Sequence, residues 1–120
     1  MEFNATAPIW LQGLTALKRQ IVTGELPPGA KMLSGREFAI RYGINPNTAA
    51  RIYQELEEEG LCRVKRGMGT FVTEDENLIA DTKKALAESE TRQFLKNMAA
   101  LGLGREEILE YVQKEMENNA

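Results

Sequence analysis

Ile9, Trp10, Leu14, Leu17 and Ile21 recur at helical spacing behind Pro8, whose missing N–H costs nothing in a first helical turn. The pattern predicts a helix over about residues 8–23, stopped by Gly24 and followed by the stiff loop Pro27-Pro28-Gly29. Trp10 reads as a core residue of that helix. Ser34 followed three residues later by Glu37 has the spacing of a capping box, so a short helix over residues 35–42 should bury Phe38 and Ala39. Gly43 supplies a sharp turn. Asn45-Pro46 then restarts a helix, a cap residue followed by proline at the first helical position, and the third helix runs to about Glu59 with Gly60 as its stop. Residues 61–65 and 70–72 are strand candidates around Arg66-Gly67-Met68-Gly69, whose glycines suit a hairpin turn. After Thr73 the character changes. Glu74-Asp75-Glu76 opens a long helix reaching about Leu101, Gly102-Leu103-Gly104 breaks it, and a last helix spans about residues 105–117.

The third helix divides into two faces. Ala49, Ile52, Tyr53 and Leu56 make a buried stripe at i, i+3, i+4 and i+7. Asn47, Ala50, Arg51 and Gln54 repeat that spacing on another face. Asn and Gln pair bidentately with adenine edges, Arg pairs with guanine, and a small Ala50 lets the helix sit close to a groove. A solvated polar face would explain a lone helix of this kind. Here a short helix, a glycine turn and a second helix form a helix-turn-helix. A hairpin with a basic, glycine-rich tip follows, as in a winged helix. Arg63, Lys65 and Arg66 bring charge for phosphates, and the tip glycines let backbone approach a minor groove.

Charge sharpens the division of the chain. The net charge of −3 argues weakly against nucleic-acid binding, but it is unevenly spread. Residues 1–73 carry nine basic and seven acidic side chains, and residues 74–120 carry six basic and eleven acidic ones. The first part is therefore net positive and the second strongly negative. The chain has no histidine, the usual general base and commonest metal ligand. It has one cysteine, Cys62, read as a small buried strand residue. No metal site, cofactor or enzymatic centre is expected: Gly67-Met68-Gly69 alone is a turn, not a nucleotide loop. With no disulfide to form, no secretory pattern in residues 1–8 and no apolar run of about 20 residues, a cytoplasmic protein without membrane contact is expected.

These pieces resemble the GntR family of bacterial transcription regulators. The resemblance runs from Pro8 to Val72 through Pro8-Ile9-Trp10-Leu11-Gln12, Gly24-Glu25-Leu26-Pro27-Pro28-Gly29, Ser34-Gly35-Arg36-Glu37-Phe38-Ala39, Glu59-Gly60-Leu61 and the wing Gly67-Met68-Gly69-Thr70-Phe71-Val72. Asn45-Pro46-Asn47-Thr48 followed by Arg51-Ile52-Tyr53 and Leu56-Glu57 is similar to the short-tailed, YtrA-like branch, whose tail is two helices. The resemblance implies a homodimer on a two-fold symmetric DNA operator, usually as a repressor. It implies DNA contacts by Arg36, by Asn47, Thr48 and Arg51, and by Gly69. Ser34, Asn45, Gln54, Lys65, Arg66 and Gly67 complete the expected DNA-binding set. The chain departs from the family pattern at Leu33, where proline usually precedes the serine. It departs again at Ala49 and Ile52, which invert the usual large and small core positions.

The expected fold is mainly α with a small β-wing: an N-terminal winged helix-turn-helix, residues 1–73, and a C-terminal two-helix dimerisation tail, residues 74–120. The tail offers Ile79, Leu86, Phe94, Leu95, Met98 and Leu101 on its long helix, and Ile108, Leu109, Val112 and Met116 on its short one. Two helices cannot cover both stripes against each other without a third layer, so a second copy is the expected cover. The competing reading is a winged-helix protein-interaction module without DNA binding, its acidic tail docking a basic partner. A small-molecule effector of unknown identity would need a pocket at a subunit or tail–head interface.

Overall fold

The computed structural model describes residues 1–119. Its elements are α1 (Ile9–Val22), β1 (Lys31–Met32), α2 (Gly35–Tyr42), α3 (Pro46–Glu58), β2 (Cys62–Lys65), β3 (Gly69–Val72), α4 (Glu76–Ala100) and α5 (Arg105–Asn118). Every predicted helix and both wing strands form, with bounds within two residues of those expected. The sheet has one strand more than the sequence pattern reveals. β1 pairs antiparallel with β3 through Lys31↔Phe71 and Met32↔Thr70, giving the order β1-β3-β2. Hydrogen bonds from Gly29 N–H to the Val72 carbonyl and from Val72 N–H to the Ala30 carbonyl continue that pairing into the preceding loop.

Two compact units divide the chain between Lys83 and Lys84. The first contains the whole buried core. α1 contributes Leu14, Leu17 and Ile21; α2 contributes Phe38 and Ala39; α3 contributes Ala49, Ile52 and Leu56. Met32, Leu61, Cys62 and Val72 close it from the sheet side. The unit extends past Thr73 because Leu78 and Ile79, in the first turns of α4, pack against this core. Asp75 starts α4 by accepting the Leu78 N–H through Oδ1 at 3.1 Å, as an N-cap side chain does.

The second unit holds the rest of α4 and α5. Neither α4 nor α5 has a buried residue. Phe94, Leu95, Leu101, Leu109, Tyr111 and Met116 are all exposed. No helix among the described residues is long and apolar enough to cross a membrane.

Candidate nucleic-acid interface

The helix-turn-helix is fixed by local hydrogen bonds that the sequence spells out. The Ser34 hydroxyl accepts the Glu37 N–H at 3.0 Å, and the Ser34 N–H donates to Glu37 Oε1 at 3.0 Å, closing the capping box of α2. That backbone donor, helped by the Ser34 hydroxyl, holds the Glu37 carboxyl below its ordinary pKa. Leu33, where proline is usual, is not left loose. Its carbonyl accepts a 2.6 Å hydrogen bond from the Tyr53 hydroxyl, which ties the loop to α3. Burial pushes the Tyr53 phenol far above its ordinary pKa, so it remains a donor. Gly43 ends α2 in the left-handed region at φ 63°, a conformation that favours glycine. Asn45 then caps α3, its side-chain oxygen accepting the Asn47 N–H at 2.8 Å, with Pro46 in the first turn.

Burial of one stripe of α3 decides what the other face presents. Ala49, Ile52 and Leu56 are completely buried, so Asn47, Ala50, Arg51 and Gln54 face outward and are exposed. Thr48 is half-buried beside them, and Arg36 is exposed in the first turn of α2. Gln54 donates to Glu58 Oε1 at 3.3 Å along its own helix. Lys18 lies outside this face; it bridges α1 to the end of α3 through Glu59 at 2.8 Å.

One contact on this face has no signal in the helical periodicity. The Arg51 guanidinium lies over the Trp10 ring, 3.7 Å from its centroid. Trp10 packs against the core while half-buried and also carries the arginine on its indole face. The approach of α1 to α3 that allows this is set one turn along, at Gly13. A Cβ there would sit 2.6 Å from Ile52 Cδ1, so only glycine fits this crossing as built. A glycine inside the apolar stripe of a helix is the one sequence feature that points to such a crossing. The chain before α1 is folded back by Gln12, whose amide donates to the Asn4 carbonyl at 2.8 Å and the Ala7 carbonyl at 2.7 Å and whose oxygen accepts the Asn4 N–H.

The wing is the β2–β3 hairpin, with Lys65 paired to Gly69 at its end. Gly69 has φ 127°, outside the range of L side chains, and a Cβ there would meet Lys31 Cε at 2.8 Å. The tip therefore favours glycine for its backbone, whereas the exposed Lys31 side chain can swing aside. Gly67, Met68 and Arg66 are exposed, and Lys65 Nζ sits 4.6 Å from the Phe71 ring centroid. The hairpin thus offers two cations and bare backbone at one end. Cys62 is buried at its base, and burial pushes its thiol up to about 11, so the group is neutral at physiological pH.

Of the residues expected to form the dimer contact, Phe94, Leu95, Leu101, Leu109 and Met116 are exposed, and Leu86, Met98, Ile108 and Val112 are half-buried. Phe94, Leu95, Ile108, Leu109 and Val112 line an open groove of about 410 Å³ between the two tail helices. Ile79, expected in the same contact, is half-buried and packs against the core of the first unit. The face of α4 turns along its length: Ile79 and Leu86 lie seven residues apart on one side, whereas Phe94, Met98 and Leu101 share a different one.

Known proteins share this architecture. Residues 14–72 match the model of the bacterial regulatory proteins, gntR family. The chain is 39% identical to the HTH-type transcriptional regulator YhcF of Bacillus subtilis, over 91% of this chain and 90% of that one. It is 29% identical to the HTH-type transcriptional repressor YtrA of the same organism, over 92% of this chain and 86% of that protein. A GntR family transcriptional regulator of solved structure, from Listeria monocytogenes, superposes with a TM-score of 0.84 at 37% identity, covering 93% of this chain and 98% of its own.

Proposed function

The chain belongs to the GntR family of bacterial transcription regulators, and from that premise we propose that it is a cytoplasmic repressor that binds a two-fold symmetric DNA operator as a homodimer. The observation that carries this reading is the outward face of α3, where Asn47, Ala50, Arg51 and Gln54 stand exposed opposite a completely buried stripe. These side chains can read base edges in a major groove. Arg36, at the start of α2, and Lys65 and Arg66, on the wing, neutralise phosphates, and Gly67 and Gly69 let the wing backbone approach the minor groove. Ser34, Asn45 and Thr48 fix the starts of α2 and α3 against the backbone. No catalysis is assigned.

The dimer reading rests on the tail. Phe94, Leu95, Leu101, Leu109 and Met116 are exposed in a single chain, and a second copy covers the same patch on each subunit. Ile108 and Val112 line the same groove, and the half-buried Leu86 and Met98 complete the proposed contact. Two recognition helices then meet half-sites about one helical turn apart.

Selection of duplexes from a random library tests the proposal. The expected result is an enriched inverted repeat bound with a steeply negative salt dependence. A library that enriches nothing, with affinity indifferent to salt, would favour a protein partner over DNA.

A further inference from the structure

We propose that Trp10 is a positioning residue for DNA reading: its indole face holds the Arg51 guanidinium in the pose from which the guanidinium edge meets a base. The proposal rests on the reading of Arg51 as a base-contacting side chain. Three observations carry it. The guanidinium carbon lies over the indole ring, 3.7 Å from its centroid, which is direct contact with the ring face. Arg51 remains exposed while stacked, so the contact does not bury it away from a ligand. The two side chains come from different helices, α1 and α3, whose crossing is held close by Gly13 against Ile52.

The chemistry of the pair makes the two contacts compatible. A guanidinium binds an aromatic ring through its flat face and through its positive charge. Its five N–H donors all lie in its plane and point away from that face. A guanine presents N7 and O6 to such an edge as a matched pair of acceptors. Arg51 can therefore keep one face on Trp10 while its edge makes a bidentate contact. A free arginine loses rotamer freedom when it binds, and one already held on an indole loses less. Trp10 is then a residue that sharpens sequence preference without touching DNA. The effect belongs to the specific complex alone, because non-specific binding is carried by phosphate contacts elsewhere.

The test compares two duplexes of equal length, one enriched from a random library and one of random sequence, by fluorescence anisotropy. The proteins are wild type, Trp10→Leu, Arg51→Ala and the double variant. Trp10→Leu should weaken the enriched duplex roughly two- to tenfold, the size of one side chain's ordering cost, and leave the random duplex and its salt slope unchanged. Added to Arg51→Ala, it should cost nothing further, since the two side chains act as one unit. A Trp10→Leu loss that persists in the Arg51→Ala background, or that falls equally on both duplexes, overturns the proposal and leaves Arg51 as a base contact. An Arg51→Ala protein with undiminished preference overturns the base-contact reading and the proposal together. A second measurement holds if leucine unfolds the first helix. Trp10 is the only tryptophan in the chain, so its emission reports on the stack in the wild-type protein. The enriched duplex should shift that emission by excluding water around the stacked pair, and the random duplex should not. Equal shifts with both, or none with either, count against the proposal.

Discussion

Residues 14–72 and residues 84–119 spend similar kinds of side chain to opposite effect. In the first stretch twelve hydrophobic side chains are buried, six of the largest almost completely. α4 and α5 bury none, although they carry Phe94, Leu95, Leu101, Leu109 and Met116. The difference lies in the number of layers. α1 and α2 both lie against α3, and the sheet closes the remaining side, so each apolar stripe finds a partner. Within the second unit there are only two helices, and an apolar face wider than one helix stays uncovered there. An apolar pattern reports that a surface must be covered; it does not report by what.

Removing the tail is the severest way to break that contrast. A chain ending at Lys83 keeps Leu78 and Ile79 on the core and should fold as a monomer. Its affinity for the enriched duplex should fall by about 10²–10⁴-fold, because two linked half-sites become one. Sedimentation and anisotropy check this together. A fragment that sediments as a dimer would place the subunit contact in the first unit.

Matched leucine deletions sharpen the contrast next. Leu56 is completely buried and Leu95 is exposed. Leu56→Ala should cost roughly 2–5 kcal/mol of folding stability, and the loss should be the same at every protein concentration. Leu95→Ala should leave the unfolding of the first unit untouched and weaken self-association. Melts run across a wide range of protein concentration separate the two. A stability loss for Leu95→Ala that ignores concentration would mean that the tail is covered within its own chain.

The smallest expected effect separates the wing from the core beneath it. Gly69→Val sets a β-branched residue at φ 127° with its Cβ against Lys31. The strain, roughly 1–3 kcal/mol, falls on the hairpin tip and is relieved by fraying there. On the proposed role of the wing as a contact to the sugar-phosphate backbone, affinity should drop about tenfold on any duplex, with the helical circular dichroism unchanged. Disappearance of the helical signal would make Gly69 a determinant of folding.

What can be read in the sequence follows the range over which each feature is determined. α2 begins and ends where expected because its capping box and Gly43 act within a few residues. The polar face of α3 is legible because one helix carries both of its stripes. β1 is not, since two residues cannot display alternation and their partners Thr70 and Phe71 lie far along the chain. The stack of Arg51 on Trp10 is hidden for a similar reason: it depends on how closely two helices cross. Periodicity groups Ile79 with the tail because it shows only that a position is apolar, whereas packing shows which unit covers it. Two departures from the family pattern are accommodated in three dimensions. Leu33 is held through its carbonyl by Tyr53, and the large Ile52 fills the space over Gly13.

That last fit ties two positions into a single volume. Glycine inside a helix is about 0.5–1 kcal/mol worse than alanine, a penalty that close packing of Ile52 offsets at this crossing. Enlarging residue 13 alone brings the first added carbon to 2.6 Å from Ile52 Cδ1, so the buried isoleucine must shift. A shorter side chain at residue 52 vacates the same space. Residues 13 and 52 should therefore covary among descendants of this chain, size traded for size, with the distance from Trp10 to Arg51 as the quantity their exchange resets.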